Sequence, residues 1–335
     1  MTPLRILYLL EDTHLAGGIR VAVAQADELI RRGHHVVLAT KGEPLTWRHS
    51  RARWEYVDSW DEIRARDYDF VIGTFWKTIE HAYLLAAERT IHLCQGYEGS
   101  FTVYQPLVPE IEHAYRLPIP KITVSPHLVE LCRTFHHDAT WVGQIVDDVF
   151  FREPKRRARA RRVLLVGPAQ ADFKGIDIGY DAVRHARSLG AGLELIRASQ
   201  WPAAEGEPVQ LADEFHIGLD SREMARLIAS CDIALGPSRQ QEGFGLPVAE
   251  AMAAGLPVAL SAIPSFLSFD RAHNYALFAP EEDGPALGEQ LARLVQDGEL
   301  RAEIGARGKE VAEQFRAEHT GRRLEEYFLG RRRSE

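Results

Sequence analysis

Short apolar runs, each followed by a polar or glycine-bearing loop and then by helical periodicity, constrain this chain more than any other feature. The first run is Arg5 to Leu10, and the loop Glu11 to Gly18 follows it. Ile19, Ala22, Val23, Ala26, Leu29 and Ile30 then recur at helical spacing, with Arg20, Asp27, Glu28, Arg31 and Arg32 between them. Gly33 stops that helix, and His35 to Ala39 is the next apolar run. Strand, loop, helix, strand is the βαβ unit of a parallel sheet, whose strands are covered on both faces and read as unbroken apolar runs.

The grammar continues with strands at Phe70–Gly73, Thr90–Cys94 and Lys121–Val124, and helices near Thr78–Glu88 and Pro126–Phe135. It restarts after a basic run, KRRARARR at 155–162, with a strand at Val163–Gly167, a helix at Asp177–Leu189 and a strand at Leu193–Arg197. Asp220 followed by Glu223 reads as a capping box. Strands at Asp232–Leu235 and Pro257–Leu260 flank a helix at Leu246–Ala254, and helices close the chain. With 335 residues, at roughly 150 per domain, the expectation is two α/β domains: 1–150, and 151–317 with a final helix at about 318–330 that packs back on the first. A hinge is expected near 148–162.

Composition narrows the function classes. Forty Lys and Arg against 48 Asp and Glu give a net charge of −8, a poor basis for nucleic-acid binding. Three cysteines without a CxxC pair suggest neither a disulfide framework nor structural zinc, and suit a cytoplasmic location. The uncharged stretch 251–269 is interrupted by Gly255, Pro257 and Pro264 and reads as a helix end, a buried strand and a loop. No GxGxxG follows the first strand, which disfavours a nicotinamide dehydrogenase.

The segment from Gly236 to Ala259 carries the most chemistry. A strand ends at Pro237, a loop holds Glu242, Gly243, Phe244 and Gly245, and Pro247 suits the first position of a helix. The amides of Phe244, Gly245 and Leu246 then gather at a helix N-terminus, which attracts phosphate. Glu250 stands among small apolar residues on that helix, and a buried carboxylate needs donors. A ribose diol supplies two; a basic neighbour would serve equally well.

Two glutamates with seven residues between them, Glu242 and Glu250, in EGFGLPVAEAMAAGLPV, resemble the signature of family 4 retaining glycosyltransferases, which have the GT-B fold: two Rossmann-like, doubly wound parallel-sheet domains facing a central cleft. Gly17-Gly18 before a helix ending in Arg32-Gly33-His34, Lys174-Gly175 in the second half, and Ser125 after a strand are also similar to that family. The resemblance implies that Glu242 contacts the transferred sugar and Glu250 the ribose. It implies that Lys174, next to Gly175, neutralises phosphate, that Gly243 to Leu246 face the sugar and diphosphate, and that Gly17 and Gly18 let the backbone approach the diphosphate. The implied substrates are a nucleotide-sugar donor and a glycan, lipid-linked or small-molecule acceptor, with neither cofactor nor metal.

Two departures stand out. Pro168-Ala169 replace an expected Arg, so phosphate charge falls to Arg197 or Arg239. The strand end reads Cys94-Gln95-Gly96-Tyr97-Glu98 where the family has a His, which leaves Gln95, Tyr97 and Glu98 on the acceptor side, while His92 points into the sheet. A nucleotide-sugar epimerase and a silent nucleotide-sugar-binding subunit are the alternatives. Asp67-Tyr68-Asp69 is formally a metal-binding DxD, though solvated acids at a strand start are the favoured reading. The KRRARARR run suits a solvated linker better than peripheral contact with an anionic inner-membrane face.

Overall fold

The computed structural model describes residues 2–151 and 161–332. Most of the basic run, the middle of the expected hinge and Arg333 of the tail lie outside them. The chain divides into two compact units, one of residues 1–145 with 317–335, the other of Val146–Arg316.

Unit 1 is built on seven parallel strands: β1 (Arg5–Leu10), β2 (His35–Thr40), β3 (Arg53–Tyr56), β4 (Phe70–Gly73), β5 (Thr90–Cys94), β6 (Lys121–Thr123) and β7 (Ala139–Trp141), in the order β3-β2-β1-β4-β5-β6-β7. Its helices are α1 (Gly17–Arg31), α2 (Trp76–Ala86), α3 (Val108–Arg116) and α4 (His127–Thr134). Leu7 and Leu9 of β1 pack with Val71, Trp60 and Ala82 in a core on one side of the sheet. β1, β4 and β5 have the bounds their apolar runs predict. β3 and β7 were not expected. They are short edge strands with half-exposed side chains, so no apolar run marks them.

Unit 2 has six parallel strands: β8 (Arg162–Val166), β9 (Glu194–Ser199), β10 (Glu214–Ile217), β11 (Ile233–Gly236), β12 (Val258–Ser261) and β13 (Leu277–Ala279), ordered β10-β9-β8-β11-β12-β13. The helices are α5 (Ile176–Ser188), α6 (Ser221–Ser230), α7 (Leu246–Ala253), α8 (Pro264–Leu267), α9 (Gly284–Gln296) and α10 (Gly298–Ala312). Asp220 and Glu223 form the expected capping box on α6. The uncharged stretch resolves into the end of α7, the buried β12 and a short helix, α8, where a loop was expected. Among the described residues no helix is long and apolar enough to cross a membrane.

The last helix, α11 (Ala317–Arg332), belongs to unit 1. Glu325 accepts from Arg32 Nε at 2.9 Å and contacts His34 Nε2 at 3.2 Å. Phe328 meets Phe70 at 5.1 Å between ring centres, and Gly321 leaves room for the Glu28 side chain, which a Cβ would meet at 2.4 Å.

Both sheets share one winding. The chain adds two strands to one side of the first, then crosses over and continues on the other. The reversal falls between β1 and β4 in unit 1 and between β8 and β11 in unit 2. Crossovers leave in opposite directions there and open a crevice at the carboxyl ends of the strands.

Candidate functional site

In unit 2 the loops after β8 and β11 border that crevice. The first turns through Asp172–Lys174 into Gly175, whose φ of +59° starts α5. A Cβ at Gly175 would stand 2.0 Å from the Pro237 carbonyl oxygen beyond β11, so only glycine lets these loops touch. The Arg239 amide seals the contact by donating to the Phe173 carbonyl at 2.8 Å.

This contact places two residues 68 positions apart side by side. Lys174 Nζ lies 2.7 Å from Glu242 Oε2, and Ser238 Oγ donates to the same oxygen at 3.1 Å. Lys174 and Glu242 line a small pocket with the ends of β8 and β11, Gly245, Val248 and Phe266. The motif alone did not single out Ser238; its place in the same loop, four residues before Glu242, is the signal that marks it.

The loop before α7 is locked in shape. Gly245 takes φ +86°, and a Cβ there would meet Phe266 at 2.3 Å. Phe244 is buried against Phe269 and Phe315, and its carbonyl accepts from Ser265 Oγ at 2.9 Å. The helix begins at Leu246, so Pro247 holds the second helical position rather than the first. Among the described residues no backbone acceptor takes the amides of Phe244, Gly245 or Leu246, as is usual for the first-turn donors of a helix. Gly243 precedes them in the same loop. Glu250, only 2% exposed, lies one turn into α7 among Ala249, Ala251 and Met252.

The two arginines expected to meet phosphate are committed elsewhere. Arg197, on β9 between two helical layers, is fully buried, and its Nε donates to Glu207 at 3.0 Å. Arg239 is held by Asp177 at 2.7 Å, Glu282 at 3.1 Å and Asp172 at 3.3 Å. A guanidinium with three carboxylate partners fastens loops together. Arg197 Nη2 has no partner among the described residues, and Lys174 and the loop amides are further cationic and donor groups at the crevice.

In unit 1, Gly17 and Gly18 open α1. A Cβ at Gly17 would meet no atom within 4 Å, and one at Gly18 would stand 3.4 Å from Gln95 Nε2. Gln95 donates to the Thr74 carbonyl at 3.1 Å, while its buried Oε1 has no partner among the described residues. Tyr97 packs on Tyr115 and Phe135 and reaches Glu112 at 3.5 Å. Glu98 accepts from the Tyr115 hydroxyl at 2.6 Å and from the Trp76 amide at the start of α2; burial pushes its carboxyl above the ordinary value. Of the three acceptor-side residues, Gln95 therefore presents an unused polar atom, while Tyr97 and Glu98 are tied into the unit. His92 is buried edge-on to Tyr115 at 4.8 Å, as a residue pointing into the sheet should be. Asp69 of the DxD accepts from the Arg5 amide at 2.7 Å, fixing the start of β1, so it is bonded to backbone rather than merely solvated. Among the described residues no three His, Cys, Asp or Glu converge as metal ligands.

Comparison with known proteins bears on unit 2 first. Residues 209–311, which include Glu242 and Glu250, match the model of the glycosyl transferases group 1. A phosphatidyl-myo-inositol mannosyltransferase of Mycobacterium leprae is 31% identical over 164 residues, covering 46% of this chain and 42% of that protein. The chain thus matches less than half the length of that curated relative. Among solved structures, a sucrose-phosphate synthase of Thermosynechococcus elongatus superposes with a TM-score of 0.83 at 16% identity, over 99% of this chain and 100% of that one. Anabaena HepE in complex with UDP-glucose superposes with a TM-score of 0.79 at 14% identity, over 98% and 100%. The chain therefore has the GT-B fold of two Rossmann-like units, and residues 209–311 of its second unit are similar to the glycosyl transferases group 1.

Proposed function

We propose that this protein is a retaining, metal-independent glycosyltransferase that moves a sugar from a nucleotide diphosphate donor to a hydroxyl of a glycan, a lipid-linked or a small-molecule acceptor. The observation that carries the reading is Lys174 beside Glu242, 2.7 Å apart, at the winding reversal of unit 2 and next to the open amides of α7. A helix N-terminus and an ammonium together suit a diphosphate. The group 1 match over the same loop supports it, as does the likeness in fold to a protein that binds UDP-glucose.

In this reading unit 2 holds the donor. Lys174 and the amides of Phe244, Gly245 and Leu246 take the diphosphate, Glu250 the ribose diol and Glu242 a sugar hydroxyl. Unit 1 holds the acceptor, with Gln95 as its polar contact. The acceptor oxygen bonds to the anomeric carbon as the bond from that carbon to the diphosphate oxygen breaks. The acceptor proton passes to a phosphate oxygen of the leaving group. Negative charge grows on the diphosphate during this step, so fixed donors aimed at it lower the barrier. No cofactor takes part.

A thermal-shift screen against nucleotide diphosphate sugars tests the donor site. A ligand at 100 times its Kd stabilises by ~2.7 kcal/mol, and Lys174→Met should abolish the shift. Donor turnover should survive EDTA. If no nucleotide diphosphate sugar shifts the transition, or if EDTA stops turnover and magnesium restores it, the reading is wrong.

A further inference from the structure

Aromatic side chains gather on the loops that end the strands of unit 1, and the proposed transfer assigns them no task. Phe75 and Trp76 follow β4 directly, while Phe101 and Tyr104 lie between β5 and α3. Their rings meet in a row. Trp76 stands 5.8 Å from Phe75, Phe75 6.0 Å from Tyr104, and Tyr104 6.4 Å from Phe101, centre to centre. Trp76 is buried and anchors the row, whereas Phe75, Phe101 and Tyr104 each keep part of their surface in solvent. Rings that only filled a core would not be left half-open.

This shelf stands at the winding reversal of unit 1. Thr74, next to Phe75, gives its carbonyl to Gln95 Nε2 at 3.1 Å, and a Cβ at Gly18 would stand 3.4 Å from the same nitrogen. Lys77 Nζ reaches Glu11 Oε1 at 3.0 Å, which joins the loops after β1 and β4 across the crevice. Both partners of that pair are partly exposed and keep hydrogen-bonding capacity to spare. Gln95 Oε1, an acceptor without a partner among the described residues, lies in the same corner. Ring surface beside a few fixed polar groups is the lining of a site for a small molecule of mixed character.

We propose that Phe75 and Tyr104 stack a sugar ring of the acceptor, so that the acceptor unit 1 takes is a saccharide. The inference rests on unit 1 being the acceptor side of the proposed transferase. A pyranose presents C–H groups on its faces and hydroxyls around its rim. Its face covers the open aromatic surface, and its rim hydroxyls donate to Gln95 Oε1 and Glu11 and accept from Lys77. An acyl chain would cover the rings equally well, but it has no hydroxyl for Gln95 and would strip water from the Lys77–Glu11 pair without replacing it.

The test is saturation-transfer NMR on the full-length protein, with trisaccharides built of glucose, mannose, galactose or N-acetylglucosamine as probes. Saturation should reach the ring C–H protons of at least one of them. Phe75→Leu and Tyr104→Leu keep apolar bulk and lose the ring face, and each should weaken that binding by about tenfold. Tyr104→Phe keeps the ring and should stay within about threefold of wild type. Val103, 75% exposed on the same segment, is the control, and Val103→Ser should change nothing. The donor-induced thermal shift, read on the same proteins, separates this outcome from the proposed function. A normal shift in a variant shows a folded protein with its donor site intact, so lost saccharide binding belongs to the shelf. No donor shift in the wild type fails the transferase reading whatever the saccharides do. Absence of saturation in all four trisaccharides, or full binding by both leucine variants, would overturn the proposal. Capture on phosphatidylglycerol vesicles that Tyr104→Leu and Val103→Ser both abolish would overturn it too, and would give the shelf to a lipid.

Discussion

Removing the ammonium of Lys174 should expose how the proposed donor site is held before any substrate arrives. The Lys174 and Glu242 side chains are 17% and 7% exposed and sit 2.7 Å apart. Breaking a fully buried ion pair by deleting one partner costs about 3–5 kcal/mol, because the remaining charge is stranded. Here the lysine keeps some water and Ser238 still donates to Glu242, so Lys174→Met should cost unit 2 about 2 kcal/mol. Glu242→Gln strands the better-hydrated partner and should cost about 1 kcal/mol. The double variant strands neither charge, so its loss should fall short of the sum by about 1–2 kcal/mol. The assay is native-state hydrogen exchange on peptides covering β8 and β11, which reads the opening of unit 2 by itself. If the single losses add to within about 0.5 kcal/mol, the contact carries no coupling, and the pre-organised site is refuted.

Three further outcomes follow from named contacts. Gly175→Ala must hold a positive φ and drive a Cβ into the Pro237 carbonyl, so it should destabilise unit 2 by about 3 kcal/mol and abolish the nucleotide-induced thermal shift; a normal shift would show that the loops need not touch. Glu250→Gln should mainly raise the donor KM and Glu242→Gln mainly lower kcat, each by about tenfold to a hundredfold for a charged hydrogen bond of ~1.5–3 kcal/mol; the same kinetic pattern in both would undo the division of roles. The Arg162 hydrogen bonds draw Glu214 from 4.5 down to about 2, so its stabilising effect is complete above pH 4.5 and is lost as pH falls toward 2. The pair is partly exposed, so the effect is ~1 kcal/mol or less, and Glu214→Gln should flatten the unfolding profile across that interval.

The legible and illegible parts of this structure separate along physical lines. β1, β4 and β5 could be bounded to the residue because a strand covered on both faces must be apolar throughout, and charged or turn residues mark where the cover ends. β10 and β13 escaped notice, as did β3 and β7, because each is a short strand at or near a sheet edge, defined by its pairing partner more than by its own side chains. The glutamate motif placed Glu242 in a loop and Glu250 in a buried helix, and both stand there. Arg197 and Arg239 show where charge is misleading as a guide. Each has the chemistry of a phosphate ligand, and each is taken up by carboxylates that the sequence sets 10 to 67 positions away: Glu207, Asp172, Asp177 and Glu282.

Lys174 and Glu242 lie 68 residues apart, and no spacing rule relates them. They meet because the chain winds one way from β8 through β9 to β10, then returns to lay β11 against the other side of β8. That reversal makes the loops after β8 and β11 neighbours, and Gly175 then lets them close to contact. The site is therefore a product of winding order plus one missing methyl group. A substitution at Gly175, which bears no functional group, should silence it as effectively as loss of the lysine beside it.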